Sequence, residues 1–164
     1  MAKAPAQQID ESKFYRVTIT TDRGVIVADL EPSLAPVTVN NFVGLARQGF
    51  YDGLAFHRVV PDFVIQGGDP DGTGAGGPGY TVPAEINPAE HHLRGSLATA
   101  RQGDEVNPKR ESSGSQFYIC LEPQPGLDGQ YTVFGGVIKG MDAVDQIQKG
   151  DHMKKITLAK EPPK

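Results

Sequence analysis

Eight short strand-like runs, cut apart by turn residues, constrain this chain more than any other feature. They lie at about 14–21, 24–31, 54–60, 62–67, 95–99, 115–121, 131–138 and 153–159. Several alternate apolar with polar side chains or are rich in β-branched and aromatic residues, as a half-buried pleated surface requires. Asp22-Arg23-Gly24 between the first two is a hairpin signal. The chain carries 20 glycines and 13 prolines in 164 residues. That is more than an ordinary domain and less than a disordered chain, and it suits many tight turns. Only two segments have a helical period. Val39, Phe42, Val43 and Ala46 make one stripe in 36–48, opened by Pro36 and stopped by Gly49. Met141, Val144 and Ile147 do the same in 140–149, before Gly150.

These elements predict a mainly β fold, a barrel or sandwich whose open ends are covered by helices. The length is that of one domain. The expected layout is a flexible arm over 1–12, one domain over 13–160 and a tail over 161–164. Residues 67–83 and 102–114 read as long loops.

Several function classes drop out. The formal charge is −4 and no long basic run occurs, so nucleic acid is not an expected partner. A single cysteine, Cys120, rules out an internal disulfide. It sits in an apolar run and reads as a buried structural thiol rather than a reactive one. The first residues lack the apolar stretch of a secretory signal, and no run is long enough for a membrane span. The expectation is a soluble cytoplasmic monomer.

Three familiar patterns fail on inspection. Gly72-Thr-Gly74-Ala-Gly-Gly77 matches a dinucleotide fingerprint, but Pro78-Gly79 follows where a helix must open. Asp69-Pro-Asp71-Gly-Thr73 starts like a calcium loop, yet Tyr80 stands where its bidentate glutamate belongs. His91 and His92 have no cysteine or acidic partner at ligand spacing and read as surface residues. No cofactor or metal is expected.

One constellation survives. In 54–60, alternation puts Phe56 and Arg58 on one face and His57 on the other. Val64 and Gln66 share a face in 62–67, as do Gln116, Tyr118 and Cys120 in 115–121. If these faces converge, Arg58, Gln66 and Gln116 surround an apolar patch of Val64 and Tyr118, with Phe63 closing its floor. Pattern alone reaches a polar-rimmed hydrophobic pocket and no further.

The same residues carry a resemblance. Phe56-His-Arg…Phe63…Gln66-Gly-Gly-Asp69 resembles the signature of the cyclophilins, the cyclosporin-type peptidyl-prolyl cis-trans isomerases. So do Gly95-Ser-Leu-Ala-Thr-Ala100, Gly114-Ser-Gln-Phe-Tyr-Ile-Cys120 and Leu127-Asp-Gly…Val133-Phe-Gly135. Gly49-Phe-Tyr-Asp-Gly-Leu54 and Gly72-Thr-Gly…Pro78-Gly-Tyr80 are similar to the bacterial single-domain branch. The likeness runs in order over about 14–158.

It implies an eight-stranded antiparallel β-barrel closed by two α-helices. It implies Arg58 as the main catalytic residue, with Gln66 beside it. Phe63, Val64, Tyr118 and Leu127 would line a proline pocket, rimmed by Gln66 and Gln116. Ala100, Arg101 and Gln102 would offer backbone to an extended peptide, Gly72 would line the next subsite, and Tyr131 would offer a hydroxyl. The implied partners are proline-containing peptides and unfolded or folding proteins. A proline-peptide binding chaperone is the alternative. The chain departs from the family pattern in three places. Gly126 stands where many members carry tryptophan, which implies weakened affinity for cyclosporin-like ligands. Tyr131 replaces histidine and Val64 replaces methionine. The 103–114 loop is also longer and more charged.

Overall fold

A computed structural model describes residues 4–159. The predicted tail at 161–164 and the first three residues of the arm lie outside that range. The barrel strands are β1 (Tyr15–Thr21), β2 (Gly24–Leu30), β3 (Leu54–Ala55), β4 (Arg58–Val60), β5 (Val64–Gly67), β7 (Ser96–Thr99), β9 (Phe117–Cys120), β10 (Val133–Lys139) and β11 (His152–Leu158); two short ones, β6 (Thr81–Val82) and β8 (Ser112–Ser113), lie outside the barrel. The nine form one antiparallel sheet in the order β3-β11-β1-β2-β10-β7-β9-β5-β4. The outermost strands, β3 and β4, are the two halves of the run read as 54–60. The segment leaves β11, kinks at Phe56-His57 and joins β5. The sheet therefore curls back on itself, and counting β3 with β4 gives the eight strands expected.

The kink corrects one face assignment. Phe56 is fully buried in the barrel interior, whereas Arg58 is exposed. Strict alternation puts them together, but the backbone of Phe56 still bonds to Gly150 and Asp151 beside β11, whereas Arg58 already pairs with Gln66 of β5, so the side-chain phase resets between them.

Inside the barrel, alternate residues of each strand meet: Val17 and Ile19, Ile26, Ala28 and Leu30, Leu97, Phe117 and Ile119, Phe134. The helix α1 (Pro36–Arg47) lays Val39, Phe42, Val43 and Ala46 on this core and packs beside β11. Phe42 meets Phe117 edge-on at 5.3 Å. Glu85 completes α1 from a distant loop. Its carboxylate accepts the Val37 N–H at 3.0 Å and the Thr38 N–H at 2.7 Å, donors that a helix start leaves open.

The second helix, α2 (Met141–Gln146), packs by the start of β2 and is shorter than its periodic run. Ile147 is already extended, and Asp151 accepts the Gln148 N–H at 2.7 Å, turning the chain into β11. The described part of the arm lies along α1. Ile9 is buried, and Gln8 N–H donates to Asn40 at 2.9 Å.

The short strands β6 and β8 fall inside the runs read as loops and pair only with each other. They tie the two long loops together beside the site. No helix among the described residues is long and apolar enough to cross a membrane.

Candidate active site

The outer face of four barrel strands carries a second apolar cluster. Val64, Ala98, Tyr118, Cys120 and Val133 are buried there, with Phe63, Ala100, Leu127 and Tyr131 packed against them. Register explains the arrangement. Arg58 pairs with Gln66, Gln66 with Tyr118, and Tyr118 with Ala98, so one row crosses β4, β5, β9 and β7. A cavity of about 170 Å³ opens on this face, lined by Arg58, Phe63, Val64, Gln66, Ala100, Arg101, Tyr118, Leu127 and Tyr131. All nine are residues that the sequence reading assigns to the pocket or its surroundings.

Pro61-Asp62 turns β4 into β5, and Asp62 adopts a left-handed φ of 62° that aspartate tolerates. The turn sets Phe63 under Arg58, whose guanidinium carbon lies 5.7 Å from the ring centroid. Opposite, the 3-10 turn Pro125–Leu127 brings in Leu127. Arg101 stacks over Tyr131 at 4.4 Å, and its Nε–H donates to the Gln130 carbonyl at 2.9 Å. Burial pushes the Cys120 thiol up to about 12, consistent with a structural role.

The polar rim is a directed chain. Gln116 Nε2 donates to the Gly74 and Gly76 carbonyls at 2.9 and 2.8 Å. Its amide oxygen must then face Gln66, whose Nε2 donates to it at 3.1 Å. That in turn leaves Gln66 Oε1 facing Arg58, 3.4 Å from Nη1. Each amide fixes the orientation of the next, and the last acceptor points at the guanidinium. This is the only side-chain hydrogen bond of Arg58 among the described residues, so most of its donors face outward.

The loop that supplies those carbonyls is wound around Asp69. This buried carboxylate accepts the N–H groups of Asp71, Thr73, Gly74 and Gly76. Burial pushes Asp69 up, but the four donors outweigh it and hold it below the usual carboxylate range. A Cβ on Gly76 would collide with this carboxylate. Gly68, at φ +95° against the Ser115 carbonyl, is equally restricted.

A wider groove of about 600 Å³ adjoins the cavity and shares Gln66, Ala100 and Arg101 with it. Gln102 and Gln116 line this groove, as do Gly74 to Gly77. Gly72 lines neither space; it sits in the turn closed by its N–H to the Asp69 carbonyl at 3.1 Å.

The histidine pair is a correction. His91 is exposed, but the His92 side chain is wholly buried. Both Nδ1 atoms meet the same carboxylate, Asp128, at 2.8 and 3.0 Å. Asp128 is 36 residues away in sequence, so no local spacing announces it. His92 and Asp128 are the site-proximal residues that sequence reasoning misses.

Comparisons with known proteins give the chain a family. Residues 16–163 match the family model "Cyclophilin type peptidyl-prolyl cis-trans isomerase/CLD". The chain is 48% identical over 138 residues to peptidyl-prolyl cis-trans isomerase B of Bacillus subtilis, covering 84% of this chain and 92% of that protein. It is 44% identical over 152 residues to a peptidyl-prolyl cis-trans isomerase of Helicobacter pylori, covering 90% and 89%. A crystal structure of a Cryptosporidium parvum cyclophilin type isomerase in the presence of the dipeptide Ala-Pro superimposes with a TM-score of 0.80 at 31% identity. The match covers 89% of this chain and 99% of that one. The chain belongs to the cyclophilin-type peptidyl-prolyl cis-trans isomerase family.

Proposed function

We propose that this chain catalyses cis–trans rotation of X–Pro bonds by gripping the proline ring and stabilising the twisted amide with Arg58. One observation carries the assignment of roles: a small cavity walled by Phe63, Val64, Tyr118 and Leu127, with a guanidinium at its edge that spends only one donor, on Gln66. Rotation must break amide resonance, a barrier of about 18–20 kcal/mol. The two X–Pro isomers differ by only about 0.5–1 kcal/mol, yet exchange takes tens to hundreds of seconds. Reaching milliseconds requires about five decades, roughly 7 kcal/mol.

Twisting returns a lone pair to the prolyl nitrogen. Arg58 donates to that developing lone pair, and a guanidinium stays charged at any working pH. Phe63, Val64, Tyr118 and Leu127 hold the ring while the carbonyl side turns. They also exclude water, which strengthens the Arg58 interaction. Gln66 steadies Arg58, and Gln116 steadies Gln66. Nothing in this scheme moves a proton or forms a covalent bond, so binding the twisted form more tightly than either planar form suffices.

The adjoining groove supports an extended peptide running past Ala100, Arg101 and Gln102, the form in which unfolded or folding proteins present proline. At position 126 a side chain would meet open space, with nothing within 4 Å of a Cβ. Gly126 thus adds no side chain beside the pocket wall Leu127, which supports weak binding of cyclosporin-like ligands. Exchange NMR of an Ala-Pro peptide with catalytic amounts of the protein tests the reading. Cis and trans signals should exchange at least about a thousandfold faster than in buffer. Unchanged exchange with the folded protein would overturn it.

A further inference from the structure

Beneath the pocket floor lies a hydrogen-bonded chain that the scheme above does not use. Tyr118 is 4% exposed, and its ring forms part of the cavity lining. Its hydroxyl lies 2.8 Å from His92 Nε2. The two rings are nearly parallel, 13° apart. His92 Nδ1 lies 3.0 Å from Asp128 Oδ1, which also accepts the His92 backbone N–H at 2.7 Å. Asp128 follows directly on Leu127, a wall of the same cavity. The chain therefore ties floor to wall.

Proton positions follow from the partners. Hydrogen bonds from the His91 ring and the His92 backbone hold the Asp128 carboxyl down to about 2, so it can only accept. His92 Nδ1 must then carry the proton. Burial lowers His92 below its ordinary value despite Asp128, so the ring is neutral near pH 7 and Nε2 is bare. Burial also raises Tyr118, which keeps its O–H and donates it to Nε2. That proton points away from the pocket. Without His92, the buried hydroxyl would be left unpaired or would draw a partner into the space meant for a proline ring.

We propose that His92 and Asp128 are positioning residues: through Tyr118 and Leu127 they hold the floor and wall of the pocket at the spacing a prolyl ring requires. This rests on the reading of the cavity as a proline pocket, and it deepens that reading.

Three measurements test it. In wild-type protein at pH 7, long-range ¹⁵N NMR should show His92 as the neutral Nδ1–H tautomer, the one a free imidazole disfavours. His92→Phe should weaken binding of an Ala-Pro peptide about tenfold, while the rotation rate of bound peptide changes far less. Adding Tyr118→Phe removes the stranded hydroxyl and should recover most of that affinity. A proton on Nε2 in the wild type would overturn the proposal. So would an unchanged Kd in folded His92→Phe, or a double variant no tighter than the single one. The tautomer is read on the native protein, so the proposal stays falsifiable if His92→Phe does not fold. Kd is measured apart from turnover. A wild type that binds the peptide without accelerating exchange would sink the isomerase reading while leaving this pattern of affinities intact.

Discussion

The inner and outer faces of the same strands are built on different principles. Along β9, Phe117 and Ile119 point into the barrel, and Tyr118 and Cys120 point out. All four are buried. The inner face is filled by shape alone, aromatic against aliphatic. The outer face mixes apolar walls with a directed set of hydrogen bonds and leaves a cavity. One face supplies stability and the other supplies the site, separated by a single pleat. Damage to the two faces should therefore register in different assays.

The largest expected effect falls on the inner face. Phe117→Ala would open a cavity among Phe42, Tyr51 and the β-strands, at a cost of about 3–5 kcal/mol. Chemical denaturation should show that loss, and peptide affinity should survive wherever the variant stays folded. A smaller loss would mean that the core collapses around the gap.

Gln116→Ala should register mainly in activity. It strips the Gly74 and Gly76 carbonyls of their donor and frees Gln66 to rotate. Activity should fall about ten- to a hundredfold, with a loss of only about 0.5–1.5 kcal/mol in stability, because water in the groove can replace the lost donor at Gly74 and Gly76. Kinetics and denaturation on one preparation separate the two. Activity equal to wild type would show that Arg58 needs no such support.

Acid gives the smallest and most gradual effect. Burial lowers His92 below its ordinary 6.5, so the unfolded chain takes up that proton first. Its share of stability is present above about 6.5 and is lost as the pH falls toward the folded value. His57 is lowered in the same way. Asp69 and Asp128 are held below 3.8, so their share is present above 3.8 and is lost only as the pH falls further. Thermal melts should show two separate declines, one beginning near pH 6.5 and the other below about 3.8. A melting temperature that is flat from about pH 7 to 5 would contradict the placement of His92.

The legibility of the two faces differs for the same reason. The inner face is readable because alternation is local: Val17 and Ile19, or Ile26, Ala28 and Leu30, declare a buried face within a few residues. The strand count follows from it. The outer face depends on pairing between distant segments. Placing Gln66 between Arg58 and Tyr118 requires the β4–β5–β9 register, and only the family resemblance anticipates it. Where neither signal reaches, the reading fails. The kink that separates Phe56 from Arg58 exists because one run serves two neighbours. The meeting of His91 and His92 on Asp128 is a tertiary contact. The β6–β8 bridge is too short to leave a pattern.

The central claim is that Arg58 acts on the twisted amide and contributes little to holding the peptide. Arg58 is exposed, so Arg58→Ala removes it without opening the core. Exchange NMR on an Ala-Pro peptide, run beside the wild type, reads affinity and rotation rate in one sample. The account expects rotation of the bound peptide to slow by about 10²–10³, the scale for losing one preorganised donor, with Kd within a few-fold of wild type. Full-speed rotation in the folded variant would contradict it.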